Sequence, residues 1–127
     1  MQRINPDTVA KPASNYAHGI LHRAGAERLI ISGQVGLRLD GTMAEGVEAQ
    51  AKQAWRNVLN VAEAAGFGRE HLARATTYVT EPGQVAVCRA VRDRLLEGHS
   101  CANTYLEVAG LAAPGRLVEI EAEAIKE

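Results

Sequence analysis

VEAQAKQAWRNVLNVAEAAG, residues 47–66, decides how the chain folds. Val47, Ala51, Ala54, Val58, Val61 and Ala65 recur at spacings of 4, 3, 4, 3 and 4, one continuous apolar stripe on a helix. Gly66 follows the last of them, where a helix places its C′ residue. At the other end Thr42 and Glu45 fit a capping box, with Gly46 in the first turn.

Outward from this helix, YAHGILHRAG (16–25) and RLIISGQVG (28–36) read as two strands joined by a short turn near Gly25. The polar loop RLDGT (38–42) leads from them into the helix. On the other side, HLARATTYVT (71–80) is rich in β-formers and reads as a third strand. EPGQVAVCRAVRDRLLEG (81–98) gives a second helix, with Pro82 near its start and Gly98 past its end. Two alternating segments close the chain. In the first, Ala102, Thr104, Leu106 and Val108 share one face and Asn103, Tyr105 and Glu107 the other. In the second, Val118, Ile120, Ala122 and Ala124 oppose Glu119, Glu121 and Glu123, and GLAAPGR (110–116) reads as a hairpin connection.

The order is ββαβαββ, an α+β domain, and right-handed crossovers place both helices on one side of a mixed sheet. The apolar parities of the last two strands are expected under those helices. The polar parities, with Asn103, Tyr105, Glu119 and Glu121, then share the opposite face, which calls for solvent or other subunits to cover it.

At 127 residues the chain fits one domain, 1–127, and 46% of it is hydrophobic, as a globular protein requires. The apolar set is small in side-chain size, with one Phe and one Trp, so a subunit interface would help to complete the core. The formal charge is −1, and Arg89, Arg92 and Arg94 read as a solvated helix face rather than a phosphate-binding stripe, so nucleic acid is not an expected partner. No apolar run reaches about 18 residues, and MQRINPDTVAKP (1–12) has no signal-peptide core. A soluble, cytoplasmic protein without a membrane partner is expected. Cys88 and Cys101 form no CxxC pair and read as reduced thiols.

Several residues invite chemistry and have plainer readings. His18 and His22 are spaced i, i+4, but on a strand they stand about 13 Å apart at ~3.3 Å per residue, too far to share a metal ion. His99 and Cys101 could form a nucleophile pair, against the reading of a loop histidine and a half-buried thiol. GFG (66–68) follows a helix, so it is a helix stop and not a dinucleotide-binding turn. Glu121 and Glu123 read as a solvated strand face, and alternation alone does not separate Glu119 from them.

SNYAHGI (14–20), IISGQVG (30–36), the helix 47–66, TTYVTEPGQ (76–84), ANTYLEVAGL (102–111) and VEIEAEA (118–124) together resemble the YjgF/Rid family of imine deaminases. The resemblance runs from about Asn15 to Ala124. It implies a chorismate-mutase-like subunit that assembles into a homotrimeric barrel with the helices outside, and small-molecule clefts between subunits. The activity it implies is hydrolysis of 2-imino acids to 2-oxo acids and ammonia, with no metal or cofactor. Residue by residue, the family's cleft Tyr falls on Tyr16, its small hydroxyl residue on Ser32, and the Glu that positions the attacking water on Glu119. The family's Pro-Ala-Arg-Thr, whose Arg grips the substrate carboxylate, reads Cys-Ala-Asn-Thr at 101–104. Asn103 therefore stands in the Arg position, Tyr105 where a smaller residue is usual, and Arg89 where many members have Asn. A lone amide does not match an Arg–carboxylate fork, so the expected activity is imine or enamine hydrolysis with the standard 2-imino acid activity weakened or lost. The substrate end facing Asn103 is then expected to be neutral or weakly acidic. The alternative is a non-catalytic trimer that binds a metabolite or a protein through the same cleft.

Overall fold

The computed structural model describes residues 1–127. Its elements are β1 (Gln2–Ile4), β2 (Gly19–Leu21), β3 (Glu27–Val35), α1 (Val47–Ala64), β4 (Leu72–Val79), α2 (Val85–Leu95), β5 (Ala102–Glu107) and β6 (Val118–Lys126). A single 3₁₀ turn, Arg69–His71, precedes β4. The main sheet has the order β3-β6-β4-β5; β4 and β5 run parallel and the other pairs antiparallel. The α+β class and the mixed sheet are as expected from the sequence. No helix is long and apolar enough to cross a membrane.

Two pairings differ from expectation. β2 does not join β3; it pairs with β1, drawn from an N-terminal segment that shows no strand pattern, in a separate two-stranded sheet. The last two strands are not a hairpin either, because β4 lies between them. Alternation fixes which residues share a face, but a loop as long as 110–116 leaves the neighbour open.

The apolar side chains of both helices and of the sheet's inner face form one core. Val47, Ala51, Ala54, Trp55, Val58 and Ala62 of α1 and Cys88 and Val91 of α2 pack over Ile31, Ala75, Ile120 and Ala122. Both helices thus cover the same side of the sheet. The α1 stripe follows the sequence reading to Val58 and then continues through Ala62, leaving Val61 and Ala65 exposed. A Schellman motif ends the helix: the Gly66 N–H donates to Glu63 O at 2.9 Å, and the Phe67 N–H to Ala62 O at 2.9 Å. Gly66 has φ +78°, which requires no Cβ. The capping box does not form. Gly46 is the N-cap, without a side-chain cap, and the Thr42 hydroxyl instead donates to Asp40 Oδ1 at 2.6 Å.

Gln50 is the polar exception inside the core, 2% exposed. Its Nε2 donates to Ala44 O at 3.0 Å and Gly115 O at 2.8 Å, while its Oε1 accepts from the Leu117 N–H at 2.8 Å. One side chain thereby ties α1 to the loops before α1 and before β6. Gly36 lies flat against it, since a Cβ there would stand 2.7 Å from Gln50 Cα. Gln50→Leu keeps the volume but removes the side-chain partner of three backbone groups, that of the buried Ala44 among them, so a loss of about 2 kcal/mol is expected in urea unfolding.

The parity of β5 is reversed from the sequence reading. Asn103 pairs with Ala75 and Tyr105 with Thr77, so both lie on the helix side of the sheet. Thr104 pairs with Thr76, lies on the open side and is exposed, and Leu106 there is 44% exposed. β5 is an edge strand, and α2 does not seal it as α1 seals the middle of the sheet. Polar residues on its inner side therefore meet a cavity rather than a core.

Candidate functional site

Two groups of residues stand out, one at each edge of the sheet. The first surrounds a cavity of about 260 Å³ between α2 and β5. Tyr16, Arg89, Asn103 and Tyr105 line it, together with Ser14 and Arg92. The segment 14–18 reaches it because the Ala17 N–H donates to Cys101 O at 2.9 Å and Ala17 bridges Ala102 in parallel, extending the sheet past β5. The Tyr16 ring is steadied by an edge contact to His18 at 5.7 Å between centroids. The polarity of the cavity comes from α2: Val85, Cys88, Arg89 and Arg92 recur on one helical face.

Arg92 is the residue that sequence reasoning missed. It is 6% exposed and lies against the core instead of in solvent. Arg89 is half-buried, and only Arg94 points to water. The signal was present in the helical spacing. Arg89 and Arg92 are i, i+3 neighbours, Arg92 follows Cys88 by four, and Arg94 falls on the far side. The Arg92 Nε donates to Asp93 Oδ1 at 3.0 Å. Nη2 is 2.9 Å from the same oxygen but off its bonding direction, and it completes no hydrogen bond. Ser14 Oγ and Tyr105 Oη are also buried without partners. A buried hydroxyl without a partner costs about 1–3 kcal/mol. Burial pushes the Tyr105 phenol up, so it stays a neutral O–H.

The second group sits on the open face, where β3 pairs with β6. β3 carries a bulge between Ile31 and Gln34, so Ser32 and Gly33 together stand opposite Glu121. A Cβ on Gly33 would collide with the Glu119 carboxylate, so the missing side chain is what lets Glu119 lie across the bulge. The three carboxylates of β6 have different partners. Glu123 is held by Arg28 at 2.8 Å and Arg74 at 2.9 Å. Glu121 accepts the Tyr78 hydroxyl at 2.8 Å, which pushes that phenol up. No group of the chain donates to Glu119.

The six residues assigned from the sequence therefore divide. Tyr16, Arg89, Asn103 and Tyr105 share the cavity, whereas Ser32 and Glu119 lie on the other face of the sheet toward the other edge. The expectation that Asn103, Tyr105 and Glu119 share one face is corrected by the β5 register.

The remaining candidates have structural partners. His99 Nε2 lies 2.7 Å from Leu72 O and its Nδ1 3.3 Å from Arg3 Nη2, so it is not poised on Cys101. Burial raises the Cys101 thiol, and that of Cys88 to about 11, so neither is a thiolate at neutral pH. His18 bonds Ala10 O at 2.7 Å and His22 bonds Arg23 O at 2.9 Å.

Comparison with known proteins adds to this geometry. The Endoribonuclease L-PSP family model matches residues 7–126. The 2-iminobutanoate/2-iminopropanoate deaminase of Salmonella typhimurium is 32% identical over 102 residues, 77% of this chain and 79% of that protein. A RutC family protein of Aquifex aeolicus is 39% identical over 54 residues, 42% of this chain and 43% of that protein. The crystal structure of a Rid-family protein from Yersinia pestis, described as of unknown function, superposes with a TM-score of 0.87 at 30% identity. It covers 98% of this chain and 97% of that one.

Proposed function

The chain belongs to the Endoribonuclease L-PSP family, the YjgF/Rid family, and from that premise we propose that it is a hydrolytic deaminase of a small imine or enamine. The observation that carries this reading is Glu119, the one carboxylate of its face without a partner, set across a glycine at a bulge. A carboxylate left free of ion pairs is available to take a proton from water. In this reading the water oxygen adds to the C=N carbon while Glu119 accepts its proton. That proton passes to the nitrogen to give a carbinolamine. Glu119 then takes the hydroxyl proton and returns it to the amine nitrogen as the C–N bond breaks, so ammonia leaves and a carbonyl product remains.

We further propose that the complete site forms between subunits of a homotrimer. Glu119 and Ser32 lie toward the β3 edge, and the cavity lies at the β5 edge. Head-to-tail packing around a ring places the β5 edge of one subunit against the β3 side of the next. The open face also exposes Ile30 (67%) and Leu106, apolar surface suited to a subunit contact. Light scattering at micromolar concentration is expected to give three times the mass of the chain, and a monomer mass would remove the interfacial site.

A second reading, a ligand-binding trimer without turnover, is favoured by the separation of Glu119 from the cavity within one subunit. The deciding assay generates 2-iminobutanoate with an amino-acid oxidase and follows its loss against a semicarbazide trap. Faster loss with the protein than without it supports the deaminase. Identical rates leave only binding.

A further inference from the structure

Three buried side-chain polar atoms of this chain complete no hydrogen bond: Ser14 Oγ, Tyr105 Oη and Arg92 Nη2, the last of which has only its ion-pair contact with Asp93. All three residues line the one cavity between α2 and β5. Buried polar groups are almost always satisfied, so two unpartnered hydroxyls and a guanidinium with unused donor capacity converging on one space point to a ligand that satisfies them together. Arg92 is the strongest of the three, because it is a permanent cation and 6% exposed.

The identity of these groups restricts the ligand. A guanidinium offers only donors, and the phenol and the Ser14 hydroxyl can both donate. Asn103 adds an amide whose Nδ2 has only Cys101 Sγ at 4.0 Å. Arg89 has no carboxylate within 4.0 Å, so its charge is uncompensated. No Asp or Glu lines the cavity. Asp93 offsets part of the Arg92 charge and fixes the guanidinium through Nε. A site with several donors, two guanidinium groups and no acidic side chain is complementary to an oxyanion.

We propose that this cavity is a carboxylate-binding subsite in which Arg92 on α2, supported by Arg89, Tyr105 and Ser14, grips the acidic end of the substrate. The grip thus comes from the helix and not from position 103 of β5. The choice of a carboxylate among oxyanions rests on the deaminase reading, and it replaces the expectation of a neutral substrate end at Asn103.

Calorimetric titration with 2-oxobutanoate, the product of 2-iminobutanoate hydrolysis, tests this without requiring turnover. Wild type is expected to bind 2-oxobutanoate at least tenfold more tightly than the neutral 2-oxobutanamide. Arg92→Met, which keeps an apolar stem of similar reach, is expected to lose at least tenfold for the acid and little for the amide. Tyr105→Phe removes one orphan hydroxyl with no change of shape, and Arg89→Gln removes the second charge; each is expected to weaken the acid selectively. These two variants keep the test decisive if Arg92→Met does not fold. Equal affinity of wild type for acid and amide would overturn the subsite. So would unchanged acid binding in folded Arg92→Met, or tighter binding of inorganic phosphate than of 2-oxobutanoate. Arg92-dependent binding of the acid by a protein that shows no imine turnover would uphold the subsite and remove the hydrolase.

Discussion

Glu119→Gln is expected to lower the rate of imine hydrolysis by about 10²–10⁴-fold with the fold and the melting temperature unchanged. The amide is nearly isosteric but a poor base. Because no group of the chain donates to Glu119, neutralising it breaks no internal bond. The same change two or four residues along β6 provides the internal comparison. Glu123→Gln takes charge from a site that Arg28 and Arg74 share, and Glu121→Gln changes the acceptor of the Tyr78 hydroxyl. Both are expected to touch stability before turnover. The loss at 119 would appear in kcat measured with the semicarbazide trap. Retention of activity within two- or three-fold would reduce Glu119 to another surface carboxylate.

Trp55→Ala is expected to be the most destabilising single change, at about 4 kcal/mol. Trp55 is 1% exposed and is the largest fully buried side chain of a core otherwise rich in Ala and Val. Small neighbours have short side chains, so they cannot collapse into the space that the indole leaves. The expected consequence is a fall in melting temperature of roughly 10 °C or more, read at a fixed protomer concentration because the proposed assembly would also contribute to stability. A fall of only a few degrees would mean that the core repacks around the vacated space.

The helices and five of the six strands were legible in the sequence, and only β1 was not. The 47–66 stripe drifts from Val61 to Ala62 at its end, as a 3.6-residue turn requires, but its face is the one that packs. Strand neighbours were less legible. β4 enters between β5 and β6, and nothing in either segment's alternation encodes that. The face of β5 was misread for a related reason. Asn103 and Tyr105 are polar enough to suggest solvent, yet they lie on the inner side where the helix cover is incomplete. Position-by-position likeness to the family named Tyr16, Arg89, Asn103 and Tyr105, which do meet in one cavity. It could not name Arg92, whose importance depends on being a cation on the buried face of α2.

The account depends on a site divided between subunits, and subunit mixing tests that division directly. One parent is Glu119→Gln; the other is Asn103→Trp, which fills the cavity at the β5 edge. Each is first shown to fold, to keep the trimer mass and to be inactive alone. The two are then unfolded together in equal amounts and refolded. If each site takes its cavity from one subunit and Glu119 from the next, about one site in four of a randomly mixed ring has both intact halves, and activity returns to about that fraction of wild type. A mixture no more active than its parents, with mixed trimers demonstrated by mass, would place both halves in the same subunit and contradict the account.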